Sequence, residues 1–130
     1  IENKGPIPED LRRPLGNRIF GCDDCQLACP FTKFSRLSEE GDFAPRHDFD
    51  RSELLELFRW DEATWSARTA GSPLRRPGFE GWQRNLAVGL GNAPFDPAIV
   101  AALQKRLETA SPMVREHLTW ALAEQAAKAP

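Results

Sequence analysis

With 130 residues the chain is long enough for one domain with a real core, and too short for more than a small appendage beside it. Apolar residues make up 41% and charged residues 28%, and no apolar run nears the roughly 18 to 20 residues of a membrane span, which excludes a membrane-embedded protein. A net charge of −2 excludes a general attraction to nucleic acid and leaves only a local patch for such a contact. The opening IENKGPIPED has no initiator Met, no basic n-region and no apolar signal segment. Nothing there speaks for export, Ile1 reads as a cut inside a longer protein, and a cytoplasmic monomer is expected.

In chain order, residues 1–47 read as loops and short turns. Gly and Pro recur too often in KGPIPEDLRRPLGNRIFG for a long helix, and only residues 24–29 offer one or two helical turns. This half makes no core by itself. From Phe49 the pattern becomes helical: FDRSELLELFRW offers Asp50 or Ser52 as a cap with Leu54, Leu55 and Phe58 on one face, and DEATWSARTAG is a second short helix stopped at Gly71.

Three longer helices follow. PGFEGWQRNLAVGLGN starts at Pro77 and ends at Gly91-Asn92; DPAIVAALQKRLETA has Asp96 as cap and Pro97 at the first helical position; SPMVREHLTWALAEQAAK repeats that device with Ser111 and Pro112. LAVGLG (Leu86 to Gly91) and LTWALA (Leu118 to Ala123) superimpose, with Leu86 on Leu118, Gly89 on Ala121 and Leu90 on Leu122. Small residues beside leucines, with an antiparallel helix between the copies, suit stacked HEAT-like hairpins; the alternative is an irregular bundle. The tryptophans Trp60, Trp65, Trp82 and Trp120 are expected between helices rather than stacked on bases.

All three cysteines lie in GCDDCQLACPF, an odd count without a signal segment, which favours a cytosolic metal or redox role over disulfides. The ferredoxin-type run for cubane clusters is C-x2-C-x2-C-x3-C-P, and its fourth Cys ligates the other of two clusters. Aligned from Pro30, the motif places Cys29 fourth, Cys25 third and Cys22 second, while its first ligand falls on Ile19. With no further Cys in the chain, the expected site is shared: Cys22 and Cys25 serve one cluster, Cys29 another, and the other ligands lie in a preceding part of a longer protein. Asp23 and Asp24 either cap a turn or lower the potential of a nearby cluster. Half of a zinc site or a dithiol pair stays open as an alternative, although His47 and His117 lack metal-ligand spacing to the cysteines.

The fold class read from these patterns is mainly α: an irregular half-ferredoxin cysteine segment over 1–47, then HEAT-like antiparallel helical repeats over 48–130. Several motifs carry a specific resemblance: IE-x-KG-x-IPE at the start, GNRIFGCDDCQL-x-CP at Gly16 to Pro30, GSPLRR at Gly71 to Arg76, RN-x-A-x-x-LGN at Arg84 to Asn92, and VREH-x-x-WAL at Val114 to Leu122. Through them the chain resembles the C-terminal part of the epoxyqueuosine reductases. The resemblance implies a cobalamin-dependent, tRNA-modifying oxidoreductase with two [4Fe-4S] clusters. Electrons pass through the clusters to cobalt, and the epoxide oxygen leaves as water to give an alkene. It implies further that the cobalamin site and the catalytic acid precede this chain, which has no activity alone.

RNA contact is expected from charge. Between Ala63 and Arg84, four arginines (Arg68, Arg75, Arg76, Arg84) face one acid, Glu80, and SPLRRPGFEGWQR puts Arg75 and Arg76 just ahead of a helix N-terminus. Arg75, Arg76 and Arg84 are therefore candidate tRNA contacts; the alternative pairs them with Glu53, Glu56 and Asp61. Lys4, Arg18 and Glu2 flank the cluster loop and are candidates for RNA or cobalamin. Two other readings are weighed against this one: a standalone helical-repeat interaction module with a structural metal knot, and a ferredoxin-like electron carrier.

Overall fold

The computed structural model describes residues 1–43, 45, 49 and 52–130. His47 and Asp50, and with them the expected boundary near residue 47, lie outside the described residues. The first helices are brief: α1 spans Glu9–Arg12 and α2 Asp24–Leu27. They are followed by α3 at Leu54–Arg59 and α4 at Glu62–Arg68. Three long helices complete the chain: α5 at Gly78–Asn92, α6 at Pro97–Leu107 and α7 at Pro112–Ala126. No strand occurs among the described residues, so the fold is mainly α.

Caps form where a short polar side chain precedes the helix, at the expected Asp96 and Ser111 and also at Asp61, which was not among the expected caps. Asp61 accepts from Thr64 N at 2.7 Å, Asp96 from Ala98 N at 2.7 Å, and Ser111 from Val114 N at 3.4 Å, with Pro97 and Pro112 opening their helices. At α3 the cap position falls instead on Glu53, which makes no side-chain cap bond, so Ser52 does not cap that helix. The α3 helix starts one residue later than a Ser52 cap would place it.

Helix α5 is the centre of the fold, buried without a break from Gly81 to Gly91. It packs against α7 on one side and α3 on another, while α6 lies on α7 and reaches α3. The two copies of the internal repeat are thus the pair of helices in most extensive contact. Leu86, Leu90, Leu103, Leu118 and Ala121 close the core, and Trp82 stacks on the half-buried Trp60 with centroids 6.3 Å apart. Trp65 and Trp120 are buried as well.

The irregular first segment does not stand apart. Ile7 joins the core and Arg12 is buried, with its guanidinium Nε donating to Ile7 O at 2.9 Å and its Nη2 paired with Glu116. A segment poor in helix, pressed against a body, must have its backbone polar groups satisfied by something else. Side chains of α5 and α7 supply those partners.

Candidate functional site

Cys22 and Cys25 are exposed and Cys29 is half-buried, all as free thiols. The turn that carries them is shaped by two residues in the left-handed region, Gly21 at φ 71° and Asp23 at φ 54°, a conformation Asp tolerates better than most residues. Gln26 N and Leu27 N both donate to Asp23 O at 2.9 Å, which opens α2, and Thr32 Oγ1 donates to Gln26 O at 2.6 Å to close the loop after Cys29. Asp23 sits at the cap position of α2, yet its carboxylate makes no cap bond and instead accepts from Gln26 Nε2 at 3.4 Å. Asp24 pairs with Arg18 at 3.0 Å.

The three sulfurs do not converge. Among the described residues no three His, Cys, Asp or Glu side chains form a group able to hold a metal ion. Two exposed thiols and one half-buried one, not drawn together, do not make a self-contained four-ligand zinc knot. His117 is far from such a role: it is fully buried in α7, its Nε2 accepts from Ile7 N at 3.0 Å, and its Nδ1 lies 2.8 Å from Met113 O.

Those two bonds require a neutral ring protonated at Nδ1, and burial holds the His117 pKa below the usual 6.5, against the opposing pull of the Met113 carbonyl. The unfolded chain therefore binds more protons as pH falls through about 6.5, while stability from this residue is fully present above that value. Urea midpoints should hold steady from pH 8 to about 6.5 and fall toward pH 5, and His117→Gln should remove that slope. A slope that survives the substitution would assign it to other groups. Asp61 and Glu124, whose pKa values are lowered by their hydrogen bonds to Thr64 and Arg13, act only at more acid pH.

The basic candidates separate into three environments. Arg75 and Arg76 are exposed just ahead of α5, with Arg75 donating to Ser66 O at 2.7 Å and Ser66 Oγ at 3.1 Å while lying over the Trp65 ring. Arg76 pairs with Glu2, and Lys4 Nζ donates to Arg76 O, so Glu2, Lys4, Arg75 and Arg76 share one edge. The acidic partners weighed for these arginines, Glu53, Glu56 and Asp61, are not the ones they take. Arg18 lies by the cysteine loop.

Arg84 is different. It is 2% exposed, its Nη1 donates to Asn3 O at 2.9 Å and to Gly5 O, and its Nε and Nη2 both donate to Asn85 Oδ1 at 3.0 and 2.9 Å. Its donors serve the chain's own backbone and the Asn85 side chain, and it is not presented to a phosphate.

Sequence reasoning missed the polar residues that hold the first segment. Asn85 Nδ2 donates to Ile19 O at 2.8 Å, and Asn92 Nδ2 donates to Arg12 O and Gly16 O at 2.8 and 2.9 Å. The signal available was a run of polar residues, Gln83, Arg84 and Asn85, with Asn92 at the end, in a helix that is apolar from Leu86 to Gly91.

Fold and site define a class: a helical body with a loop of three free thiols strapped to its flank. Comparisons with known proteins give the particular relatives. The chain is 57% identical over 124 residues to the epoxyqueuosine reductase of Xanthomonas campestris pv. campestris, covering 95% of this chain and 35% of that protein. It is 57% identical over 122 residues to that of Pseudomonas aeruginosa, and 50% identical over 125 residues to that of Escherichia coli K12, which it covers to 34% and 33%. A crystal structure of epoxyqueuosine reductase with an epoxyqueuosine-modified tRNA-Tyr stem loop matches 96% of this chain and 42% of that one, at a TM-score of 0.66 and 20% identity, and so supports the fold. No family model matches the chain. The resemblance to epoxyqueuosine reductase holds over nearly the whole chain, which spans about a third of the length of the curated relatives it matches.

Proposed function

We infer that this chain is the C-terminal part of an epoxyqueuosine reductase, where it completes the ligation of two [4Fe-4S] clusters and offers an edge to tRNA. Cys22 and Cys25 serve one cluster and Cys29 the other, the remaining thiolates coming from preceding segments of the same protein, which also bind cobalamin. Clusters and cobalamin supply the two electrons that, with two protons, convert the epoxide to an alkene and water. The part of this chain is to hold three thiols in place, keep Asp23 and Asp24 beside them, and present Lys4, Arg75 and Arg76 to phosphate. Its setting is the cytoplasm, and the protein acts as a monomer.

The observation that carries this reading is the three thiols in ferredoxin order, two exposed and one half-buried and not drawn together, in a chain half or more identical to those reductases. A second feature supports it: Leu27, Phe31, Phe34 and Leu37 around the cysteines are 69 to 99% exposed, an apolar surface suited to cover by the segments that bring the other ligands. That the solved relative holds a tRNA stem loop supports RNA as the partner.

Iron and sulfide analysis of the anaerobically prepared protein at its relatives' full length tests the cluster claim. About eight irons per chain, falling to about four in Cys22→Ser, are expected from two four-iron clusters. Zinc in place of iron, or iron unchanged by the substitution, would sink it. For the RNA edge, replacing Arg75 and Arg76 together by Ala should weaken stem-loop binding several-fold and reduce the salt slope by about one to two. Unchanged affinity would leave both arginines as surface residues that serve Trp65, Ser66 and Glu2.

A further inference from the structure

We propose that Asn85, locked by Arg84, is a positioning residue for the Cys22 loop: its side-chain amide fixes the Ile19 carbonyl, and through it the place from which Cys22 reaches its cluster. This rests on the reading of Cys22 as a cluster ligand. Three observations carry it.

The first is the geometry of the pair. Asn85 has one carbonyl and one amide to orient, and Arg84 settles the choice by donating two hydrogen bonds to Oδ1, which leaves Nδ2 to face Ile19 O at 2.8 Å. Arg84 is in turn held from its other edge by the carbonyls of Asn3 and Gly5. One buried unit therefore grips the chain at residues 3–5 and at residue 19, both ahead of the turn that leads to the cysteines.

The second is reach. Ile19 is three residues before Cys22, so Cys22 lies within about 10 Å of a point fixed to the central helix. Gly21 turns in the left-handed region directly over Ile1, whose Cδ1 lies 3.5 Å from where a Cβ would stand. The first residue of the gripped segment thus floors the turn. Beyond Cys22 the loop is held by its own bonds, from Asp23 O through Thr32 Oγ1, and by the Arg18–Asp24 pair. Such a loop keeps its shape, but takes its place from Ile19.

The third is the absence of a competing use. Asn85 is buried, Arg84 is buried, and neither side chain is presented to an outside partner. Two polar residues in the middle of a buried helix are costly unless bonded, and every side-chain nitrogen and oxygen of both has a partner.

The test uses Asn85→Asp. Asp keeps the size and the acceptor, so Arg84 stays paired, but it has no donor for Ile19 O. In the apo protein, 15N order parameters at Gly21 and Cys22 should fall from the rigid range near 0.85 to below about 0.6, while helical circular dichroism stays close to wild type and the melting temperature falls by only a few degrees. In the iron-loaded protein at its relatives' full length, the same variant should change the electron paramagnetic resonance line shape of one cluster and leave the other's unaltered. Should the variant fail to fold, Asn85→Ser, too short to reach Ile19, reads the same way.

Order parameters that stay high in the variant, or that are already low in wild type, overturn the proposal. A wild-type protein that takes up no iron would overturn the cluster reading alone. The fall in order parameters would then still show the Asn85 grip.

Discussion

Arg84→Met is expected to lower the stability of the chain by about 3 kcal/mol, the sum of three acceptors left without a donor at roughly 1 kcal/mol or more each. Met fills the space of the arginine stem without replacing its hydrogen bonds, so the loss reports those bonds rather than a cavity. The acceptors are Asn3 O, Gly5 O and Asn85 Oδ1. The first two lie toward the surface and regain some water once the arginine is gone, which keeps the figure at the low end. Burial pushes the Arg84 pKa down, against the field of Glu80, yet a guanidinium stays charged in any protein environment, and its solvation in the fold comes from those acceptors.

Urea unfolding measures the loss, and a loss under about 1 kcal/mol would mean the acceptors find other donors. The same variant separates two roles for this residue. Folded Arg84→Met should bind RNA with the wild-type salt slope, whereas replacing Arg75 and Arg76 should lower it. A slope reduced by about one would put a phosphate on Arg84 after all.

At Arg84 the charge pattern and the structure point in different directions. Charge counting groups it with Arg68, Arg75 and Arg76, because a one-dimensional window sees sign and not direction. What settles its role is the segment it meets: residues 1–20, rich in Gly and Pro, form few hydrogen bonds of their own and lie against a helical body. Every carbonyl buried there needs a donor. Arg84 answers Asn3 and Gly5, Asn85 answers Ile19, Asn92 answers Arg12 and Gly16, and His117 accepts from Ile7. No periodicity announces this, since the partners are as much as 110 residues apart.

By contrast, α4, α6 and α7 were legible because their signals are local. An Asp or Ser cap acts on an amide two or three residues on, and a Pro at the first helical position needs no partner. The single helical turn at Asp24–Leu27 was legible for the same reason. The place of the loop on the body was not, because it depends on Asn85.

The internal repeat was half legible, and the remaining half yields the second large effect. Superimposing the two copies sets Gly89 opposite Ala121 as equivalent small residues, but equivalence in a repeat is not contact. In the structure it is Gly91 that meets α7: a Cβ there would lie 2.6 Å from Trp120 Cζ3, 2.9 Å from Ala121 Cα and 3.0 Å from Ala121 Cβ. A Cβ on Gly89 would instead meet Leu54 Cδ1 at 3.0 Å and Ile19 Cγ2 at 3.4 Å. One glycine lets the two repeat helices close on each other, and the other lets α3 and the cysteine-bearing segment approach α5.

The identity of the obstructing atoms decides the outcome of Gly→Ala at each. Alanine gains about 1 kcal/mol over glycine inside a helix. At position 89 the near atoms are side-chain methyls that can turn aside, so the gain and the crowding nearly cancel, and a net change within about 1 kcal/mol is expected. At position 91 the obstruction includes the backbone of α7 and the rim of a buried tryptophan, neither of which can yield without moving a helix. Overpacking of that kind costs about 1 to 3 kcal/mol and occasionally more. With the α5–α7 contact forced open along the core, Gly91→Ala should lie at the upper end, a net loss of about 3 kcal/mol despite the better helix former. Urea midpoints for the two variants measured side by side test this: a Gly91→Ala protein as stable as Gly89→Ala would mean α7 is free to shift, and that the repeat interface is looser than its packing shows.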